Sequence, residues 1–289
     1  MLSMTDLILM GAGVTPDLIC DCADEVGAAE VRTKPGAVRF SGLSPMALRT
    51  LQRRYADNPD VDAITVPHDL SIRDFRVLAL DMDGTLIQNE CIDDMAAACG
   101  RGDEVAAVTK AAMEGHLGFD DSLRKRVGLL KDEPAHVVEA ARRGMRLQPG
   151  AVRLINFCRD YGIDCYIVSG GFTDLTRPLA KTLGMQGAIS NELVYDDNKL
   201  TGEVHGPAGG KIINADGKRR TVEVLCALHQ CSLDRAICAG DGANDLEMIS
   251  AAGVGVAYHA KPRVREAARY AVSASGLDGI MMLFKEAWS

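Results

Sequence analysis

The chain has 289 residues, of which 47% are hydrophobic and 25% are charged, and its formal net charge is −8. This length is enough for one large domain or two ordinary ones, and the composition is typical of a globular protein. The negative charge argues against nucleic acid as the main partner, because phosphate backbones are bound by basic faces. No segment approaches the ~18 unbroken apolar residues of a membrane span, so we expect no membrane association.

The N-terminus and the cysteines favour a cytoplasmic protein. The first residues, MLSMTDLILMGAGV, are apolar, but they include Asp6 and lack the basic segment of a signal peptide. The nine cysteines are scattered through apolar segments. This pattern is typical of reduced, buried thiols rather than of a disulfide framework.

Residues 1–72 are predicted to form a small α+β domain. Their patterns follow in the order strand, helix, strand, strand, helix, strand, which is the ferredoxin-like plan. The segment resembles the ACT-type modules that often precede metabolic enzymes, although no ligand-binding motif is recognisable in it. The polar segment HDLSIRD, residues 68–74, is the expected linker.

Residues 73–289 are predicted to form an α/β domain with a doubly wound parallel sheet. The apolar runs FRVLALD, IDCYIVS, RAICAGD and GVGVAY alternate with helical patterns, as expected for parallel strands that are buried on both faces. The segment between the first two runs, residues 91–162, is far longer than one crossover needs. We therefore expect residues 92–148 to form an inserted helical cap.

Two aspartates follow the first of these strands in the motif DMDGT. Asp81 and Asp83 stand where ligands bind in this architecture, at the carboxyl end of a strand. Carboxylates this close repel each other unless a metal ion, a shared proton or solvent compensates for them. A calcium loop is excluded because Ile92, rather than Glu, is the twelfth residue from Asp81. Taken alone, the motif could still be a solvated Asp-Gly turn.

Three further polar motifs end strands or begin helices. Ser169 ends the second strand in IVSGG, and Lys218 begins a helix in NADGKRR. Asp241 ends a strand in AGDGAND, which also contains Asn244 and Asp245. Each motif has an ordinary alternative, namely a helix N-cap, a solvated lysine or a tight loop. Their combination in this order is what indicates a common site.

The four motifs together resemble the haloacid-dehalogenase-like phosphohydrolase superfamily over residues 75–289. The resemblance implies that Asp81 is a nucleophile that becomes an aspartyl-phosphate, and that Asp83 is the general acid and base. It implies Mg²⁺ held by the carboxylates of Asp81 and Asp241 and by the backbone carbonyl of Asp83, a donor set that suits a hard cation. Asp245 would orient Lys218 or the metal shell. The phosphoryl oxygens would be held by Ser169, Gly170, Lys218 and Asn244.

The cap narrows the expected substrate. NECIDDMAA and MEGHLGFDDSLRKRVGLL resemble the cap segments of phosphoserine phosphatases. This resemblance implies that Glu90 binds the substrate ammonium and that Arg126 binds its carboxylate, for which a planar guanidinium is suited. Met113 and Phe119 would close an apolar lid. The alternative for Arg126 is a place on a solvated basic helix face.

The resemblances imply a Mg²⁺-dependent hydrolase that releases L-serine from O-phospho-L-serine, the last step of serine biosynthesis. Its partner would be a small phosphorylated amino acid. The motifs leave open phosphoryl transfer to another hydroxyl, such as that of homoserine, because identical catalytic residues would serve it. A phosphoryl-receiving signalling module is disfavoured, since it would lack both Asp83 and the cap. The sequence also leaves a homodimer open.

Overall fold

The computed structural model describes residues 5–56 and 58–289. Its strands are β1 (Thr5–Met10), β2 (Glu30–Lys34), β3 (Ala37–Ser41), β4 (Asp62–Pro67), β5 (Val77–Leu80), β6 (Asp164–Phe172), β7 (Gly187–Asp196), β8 (Lys199–His205), β9 (Ala236–Gly240), β10 (Val254–Tyr258) and β11 (Tyr270–Val272). Its helices are α1 (Pro16–Val26), α2 (Pro45–Tyr55), α3 (Cys91–Ala98), α4 (Gly102–Met113), α5 (Phe119–Gly128), α6 (His136–Gly144), α7 (Ala151–Asp160), α8 (Thr173–Thr182), α9 (Ala215–Leu228), α10 (Leu246–Ala251) and α11 (Pro262–Ala267). Short 3₁₀ helices include Ala243–Asp245, Leu277–Leu283 and Lys285–Trp288.

The N-terminal sheet is antiparallel, with the strand order β2-β3-β1-β4. Helices α1 and α2 cover one of its faces, where side chains such as Leu7 and Phe40 are buried. Each helix begins at a capping hydroxyl followed by proline: Thr15 accepts a hydrogen bond from the backbone of α1, and Ser44 accepts one from that of α2. The predicted βαββαβ order is confirmed. The resemblance to ACT-type modules stays a prediction.

The other face of this sheet packs on the C-terminal part of the chain. Ile8 and Met10 belong to the same apolar core as Leu283, in the 3₁₀ segment Leu277–Leu283. The buried carboxylate of Asp62 accepts hydrogen bonds of 2.8 Å from the backbone N–H groups of residues 273 and 274. The two sheets therefore share one packed and hydrogen-bonded junction. The predicted boundary at residue 72 stays a prediction.

The larger sheet has, among the described residues, seven strands in the order β11-β10-β9-β5-β6-β7-β8. The strands from β11 to β7 are parallel, and every residue of the central strands β5 and β9 is buried. Helices α7 and α8 pack on one face, and α9 and α10 on the other. This is the predicted doubly wound arrangement.

The sequence did not indicate β11 or the antiparallel hairpin of β7 and β8. Strand β8 carries several exposed polar residues, so it lacks the continuous apolar run of a central strand. The hairpin turns at Asp197 and Asn198, whose φ angles are 43° and 60°. Aspartate and asparagine tolerate this left-handed region better than other residues with a side chain do.

The helices α3 to α6 lie between β5 and β6, over the segment Cys91–Gly144. Two segments connect this insertion to the sheet domain. They lie side by side and pair in an antiparallel bridge between Ile87 and Leu147. This helical insertion falls within the cap predicted for residues 92–148, apart from its first residue.

Within the described ranges, no helix has both the length and the apolar character that crossing a membrane requires. All nine cysteines are free thiols, as expected. They are not all buried, however: Cys20 is exposed on α1, and Cys99 and Cys231 are half-buried.

Candidate active site

The predicted polar motifs meet at one edge of the larger sheet. Strands β9, β5 and β6 are neighbours and run in the same direction, so their carboxyl ends lie side by side. Asp241 follows β9, Asp81 follows β5, and Ser169 lies near the end of β6. The first turn of α9 brings Lys218 to the same edge. Residues that are far apart in the chain therefore form one cluster, because all of them stand at strand ends or at a helix start.

Lys218 is completely buried between two aspartates. Its Nζ lies 2.8 Å from Asp81 Oδ1 and 2.6 Å from Asp245 Oδ1. Burial lowers the pKa of Lys218, but the charges of Asp245 and Asp81 outweigh it, and the pKa is raised overall. The second oxygen of Asp245 accepts a hydrogen bond of 3.0 Å from the backbone of Gly242. Asp245 is thus fixed between the lysine and the turn after β9.

Three carboxylates of this cluster could share a cation. Asp81, Asp241 and Asp245 each offer an oxygen, and these oxygens all lie within 4.8 Å of one another. Burial, and next the charge of Asp245, raise the pKa of Asp81 well above its usual range and that of Asp241 to about 6. An oxygen-only donor set of this kind fits a hard divalent cation. Since Lys218 and Gly242 already occupy both oxygens of Asp245, the better-placed ligands are Asp81 and Asp241.

The DMDGT turn holds Asp241 directly. Thr85, which is fully buried, donates a hydrogen bond of 3.1 Å from its Oγ1 to Asp241 Oδ1. Gly84 has a φ of +70°, and a Cβ there would lie 2.8 Å from the Asp241 carboxyl group. Glycine is required at this position for both reasons. Thr85 was not anticipated as a site residue from the sequence, although its place in the DMDGT motif was the available signal.

Asp83 is tied to the start of the cap. Its Oδ1 accepts a hydrogen bond of 3.0 Å from the backbone N–H of Cys91, the first residue of α3. Burial raises the pKa of Asp83, and the bond from Cys91 opposes this shift. A helix N-terminus stabilises a carboxylate through its free N–H groups. Cys91 was not anticipated from the sequence, because its backbone rather than its side chain makes the bond.

The segment of β6 after Val168, the Ser169–Gly171 loop, bulges out of register with β7 and lies under the cap. Ser169 Oγ accepts a hydrogen bond of 2.9 Å from the backbone of Gly171. A Cβ at Gly170 would lie 2.7 Å from Cζ of Phe119, so the cap residue Phe119 packs directly on this glycine. A Cβ at Gly171 would lie 3.1 Å from Asp83 Oδ2. The two glycines thus allow both the cap and Asp83 to approach Ser169.

Glu90 and Arg126 carry opposite charges near Asp83. Desolvation by the surrounding protein, and next the charges of Asp83 and Asp241, raise the pKa of Glu90 to about 7. The charge of Arg126 opposes this shift. Burial lowers the pKa of Arg126, against the charges of Asp93, Glu90 and Asp83. Neither Glu90 nor Arg126 forms an ion pair with any other residue in the described part of the chain. Both charges are therefore available to a ligand.

The cap touches the sheet domain at two further points. Asn214, the N-cap of α9, donates a hydrogen bond of 3.0 Å from its Nδ2 to Asp120 Oδ1 in α5. Met113, the last residue of α4, is 66% exposed, and its Sδ lies 3.9 Å from Lys261 Nζ. Met113 thus does not line a closed apolar surface in this structure, and its part in a lid stays a prediction. Asn244 lies half-buried in the 3₁₀ turn Ala243–Asp245.

Comparison with known families gives one match that covers more than half of the chain. Residues 78–250 match the haloacid dehalogenase-like hydrolase family. The chain is 46% identical over 219 residues to a phosphoserine phosphatase of Polaromonas sp. (strain JS666 / ATCC BAA-500), which covers 75% of this chain and 93% of the relative. It is 43% identical over 249 residues to a phosphoserine phosphatase of Streptomyces coelicolor (strain ATCC BAA-471 / A3(2) / M145). That alignment covers 86% of this chain but only 60% of the relative, so the chain spans less than two thirds of that protein.

Solved structures are similar over both the whole chain and the larger domain. A probable phosphoserine phosphatase from Vibrio cholerae, in unliganded form, has a TM-score of 0.80 and 31% identity, covering 99% of this chain and 87% of the other. A phosphoserine phosphatase solved as an analogue of its phospho-aspartyl intermediate has a TM-score of 0.67 and 36% identity. It covers 73% of this chain and 99% of its own.

Proposed function

The chain belongs to the phosphoserine phosphatases of the haloacid dehalogenase-like hydrolases, and from this premise we propose that it hydrolyses O-phospho-L-serine to L-serine and inorganic phosphate. The observation that carries the proposal is the buried cluster of Asp81, Lys218 and Asp245, together with the nearby charges of Glu90 and Arg126, which form no ion pair within the described part of the chain. The buried cluster suits phosphoryl chemistry, and the opposite charges of Glu90 and Arg126 suit the charged groups of an amino acid.

In the proposed reaction Asp81 is the nucleophile. A carboxylate oxygen of Asp81 attacks phosphorus, the ester P–O bond breaks, and the serine oxygen takes a proton from the carboxyl group of Asp83. Lys218, 2.8 Å from Asp81, lowers the repulsion between this carboxylate and the phosphoryl oxygens. A similar phosphoserine phosphatase was solved as an analogue of the phospho-aspartyl intermediate, which supports this assignment.

The second half of the reaction regenerates the enzyme. Asp83, now a carboxylate, accepts a proton from water as the water oxygen attacks the phosphorus of the acylphosphate. The bond between phosphorus and Asp81 then breaks, releasing phosphate and the free Asp81 carboxylate. The raised pKa of Asp83 supports its proposed role, because a carboxyl group must hold a proton before it can donate one.

We propose Mg²⁺ as the cation of the carboxylate cluster, held by the Asp81 and Asp241 carboxylates and the Asp83 backbone carbonyl. The raised pKa values of Asp81 and Asp241 support a cation there, since both carboxylates lack full compensation by the protein. Bound there, Mg²⁺ would neutralise charge that develops on the phosphoryl oxygens. The other contacts to those oxygens would come from Ser169, Gly170, Lys218 and Asn244.

Glu90 and Arg126 would select the substrate. Phosphoserine carries an ammonium and a carboxylate on one carbon, and a glutamate and an arginine that lie close enough to affect each other's pKa are complementary to this pair. An ammonium beside Glu90 would lower the raised pKa of that carboxyl group and hold it ionised. Phe119, packed on Gly170, would limit the access of water from the cap side. Neither the expected cytoplasmic location nor a homodimer, which the sequence leaves open, is needed for this mechanism.

Phosphate and serine release should be measured in parallel for a panel of substrates, with Mg²⁺ and with a chelator. Phosphoethanolamine lacks only the carboxylate of phosphoserine, and 3-phosphooxypropanoate lacks only its ammonium, so the two compounds isolate the two charges. We expect phosphoserine to be preferred over both and turnover to require the metal. Equal rates for phosphoserine and phosphoethanolamine would contradict the substrate assignment. Serine release without matching free phosphate, in the presence of an added hydroxyl compound, would indicate phosphoryl transfer instead of hydrolysis.

A further inference from the structure

We propose that Asn191 is a positioning residue that sets the distance between the Ser169–Gly171 loop and the start of helix α9, and thereby aligns the two sides of the phosphoryl site. The inference rests on the proposed phosphoryl chemistry, and it assigns a role to a strand residue that does not touch the reacting atoms.

The side-chain amide of Asn191 bridges two loops. Asn191 lies on β7 and is completely buried. Its Nδ2 donates a hydrogen bond of 2.8 Å to the carbonyl oxygen of Gly170, and its Oδ1 accepts one of 2.7 Å from the backbone N–H of Ile213. Both ends of one rigid planar group are therefore engaged, one in each loop.

A bulge in β6 explains why the carbonyl of Gly170 needs a side-chain partner. In the ladder between β6 and β7, Val168 pairs with Ile189 but Phe172 pairs with Asn191, so residues 169–171 bulge out of register. A bulge leaves backbone groups without strand partners, and a buried carbonyl without a partner is costly. Gly170 lies in this bulge, and Asn191 supplies the missing donor.

The second loop leads directly to Lys218. Ile213 is followed by Asn214, which caps α9 by accepting a hydrogen bond of 3.1 Å from the backbone of Gly217. The backbone N–H of Lys218 donates a bond of 2.8 Å to the carbonyl of Asn214. The position of Ile213 thus fixes the first turn of α9. The two loops also approach closely, since a Cβ at Gly170 would lie 3.3 Å from the Ile213 carbonyl oxygen, and loss of the Asn191 amide should therefore alter their separation.

If the groups that hold the phosphoryl oxygens are displaced, the stabilisation of the transition state should be reduced most. Ser169 and Gly170 would hold one side of the phosphoryl group and Lys218 the other, so their separation must match the trigonal-bipyramidal geometry of transfer. A displacement of about 1 Å can cost roughly 100-fold in rate. Asn191→Ala should therefore lower kcat/KM by roughly that factor. The inhibition constant for orthovanadate, which mimics this geometry, should rise in parallel.

Ser190→Ala is the matched control. Ser190 is the preceding residue of β7, is 1% exposed, and makes a buried hydrogen bond of 2.7 Å to Thr176. Its substitution also removes a buried polar contact of the same strand, but on the face that does not meet the two loops. It should lower the melting temperature without changing kcat/KM or the vanadate inhibition constant. Asn191→Asp, which keeps the size and the acceptor toward Ile213 but loses the donor toward Gly170, serves if the alanine variant does not fold.

The readouts separate positioning from simple stabilisation. A folded Asn191→Ala or Asn191→Asp protein with the kcat/KM and vanadate inhibition constant of the unsubstituted enzyme would overturn the proposal, even if its melting temperature fell. Measurements with an aryl phosphate keep the test independent of the substrate assignment. An unsubstituted protein that cleaves the aryl phosphate but not phosphoserine would contradict the proposed substrate and leave the Asn191 comparison intact.

Discussion

Lys218 and Asp245 form a completely buried ion pair, with 2.6 Å between Nζ and Oδ1, and the same ammonium lies 2.8 Å from the proposed nucleophile Asp81. Lys218→Met should therefore abolish turnover and also destabilise the fold. Removing one partner of a buried pair costs about 3–5 kcal/mol, because the remaining charge is left uncompensated. Urea unfolding of the metal-free protein would measure this loss. Lys211→Met, at an exposed lysine before α9, should leave both stability and turnover unchanged.

Asp81→Asn should eliminate turnover while the protein stays folded. An amide cannot form the acylphosphate, and loss of one of several crowded negative charges relieves repulsion in the cluster. The measurement is phosphate release together with circular dichroism. A well-folded Asp81→Asn protein that releases phosphate at a near-normal rate would show that the nucleophile is a different group.

Asp83→Asn should keep the nucleophile and lose proton transfer. General acid–base catalysis contributes roughly 10²–10⁴-fold, and we expect a fall in kcat within this range. The loss in kcat/KM, which reports the steps up to formation of the acylphosphate, should be smaller for an aryl phosphate, whose leaving group needs little protonation. Equal losses in kcat/KM for phosphoserine and the aryl phosphate would argue that Asp83 acts on the metal or the fold instead.

Protons and the metal should compete for Asp241. Its pKa in the metal-free protein is raised from 3.8 to about 6, so the carboxyl group is increasingly protonated as pH falls below that value. A cation requires the ionised form, and the apparent affinity for Mg²⁺ should therefore weaken below about pH 6. Titration calorimetry at several pH values measures this directly.

The raised pKa of Asp241 also makes folding stability depend on pH. In the metal-free protein stability should fall as pH rises, whereas the affinity for Mg²⁺ should increase. Because the folded-state pKa of Asp241 exceeds its unfolded value, this group contributes stability below about pH 4 that is lost as pH rises through 6. Mg²⁺ should reverse the loss, since it binds the ionised folded state. A melting temperature of the metal-free protein that rises between pH 5 and pH 7 would contradict the assignment.

Arg126→Ala should act on substrate choice. An uncompensated charge in a closed site costs about 2–5 kcal/mol, which corresponds to roughly 30- to 4000-fold in kcat/KM for phosphoserine. Phosphoethanolamine, which has no carboxylate, should lose much less. Arg124→Ala, at an exposed arginine of the same helix, is the control and should change neither substrate. If both substrates declined equally with Arg126→Ala, the arginine would be acting on the phosphoryl group or the fold.

Deletion of residues 1–72 should leave measurable phosphatase activity, since every proposed catalytic residue lies after Phe75. The structure adds that the truncated protein should be less stable, because Ile8 and Met10 share a core with Leu283 and the deletion would expose that surface. Thermal unfolding and phosphate release test the two parts separately. A truncated protein that folds but has no activity would mean that the N-terminal sheet contributes to the site.

The sequence by itself determined the architecture of the larger domain and the place of its polar motifs. Strands such as β5 and β9 are buried on both faces, so they read as continuous apolar runs, and a parallel sheet brings their carboxyl ends to one edge. The proximity of Asp81 and Asp241 follows from that topology alone. Mixed, partly exposed elements such as the hairpin of β7 and β8 leave a weaker pattern, which is why the sequence did not indicate them.

The tertiary structure decided how the loops are held. The bond from Thr85 to Asp241, the bond from Asn214 to Asp120 and the two bonds of Asn191 each join segments that are distant in the chain. An asparagine in a strand pattern does not indicate which backbone groups its amide will meet, because the register of β7 and the bulge after Val168 determine that. These contacts depend on the packing of whole elements, and only the folded chain brings the atoms within hydrogen-bonding distance.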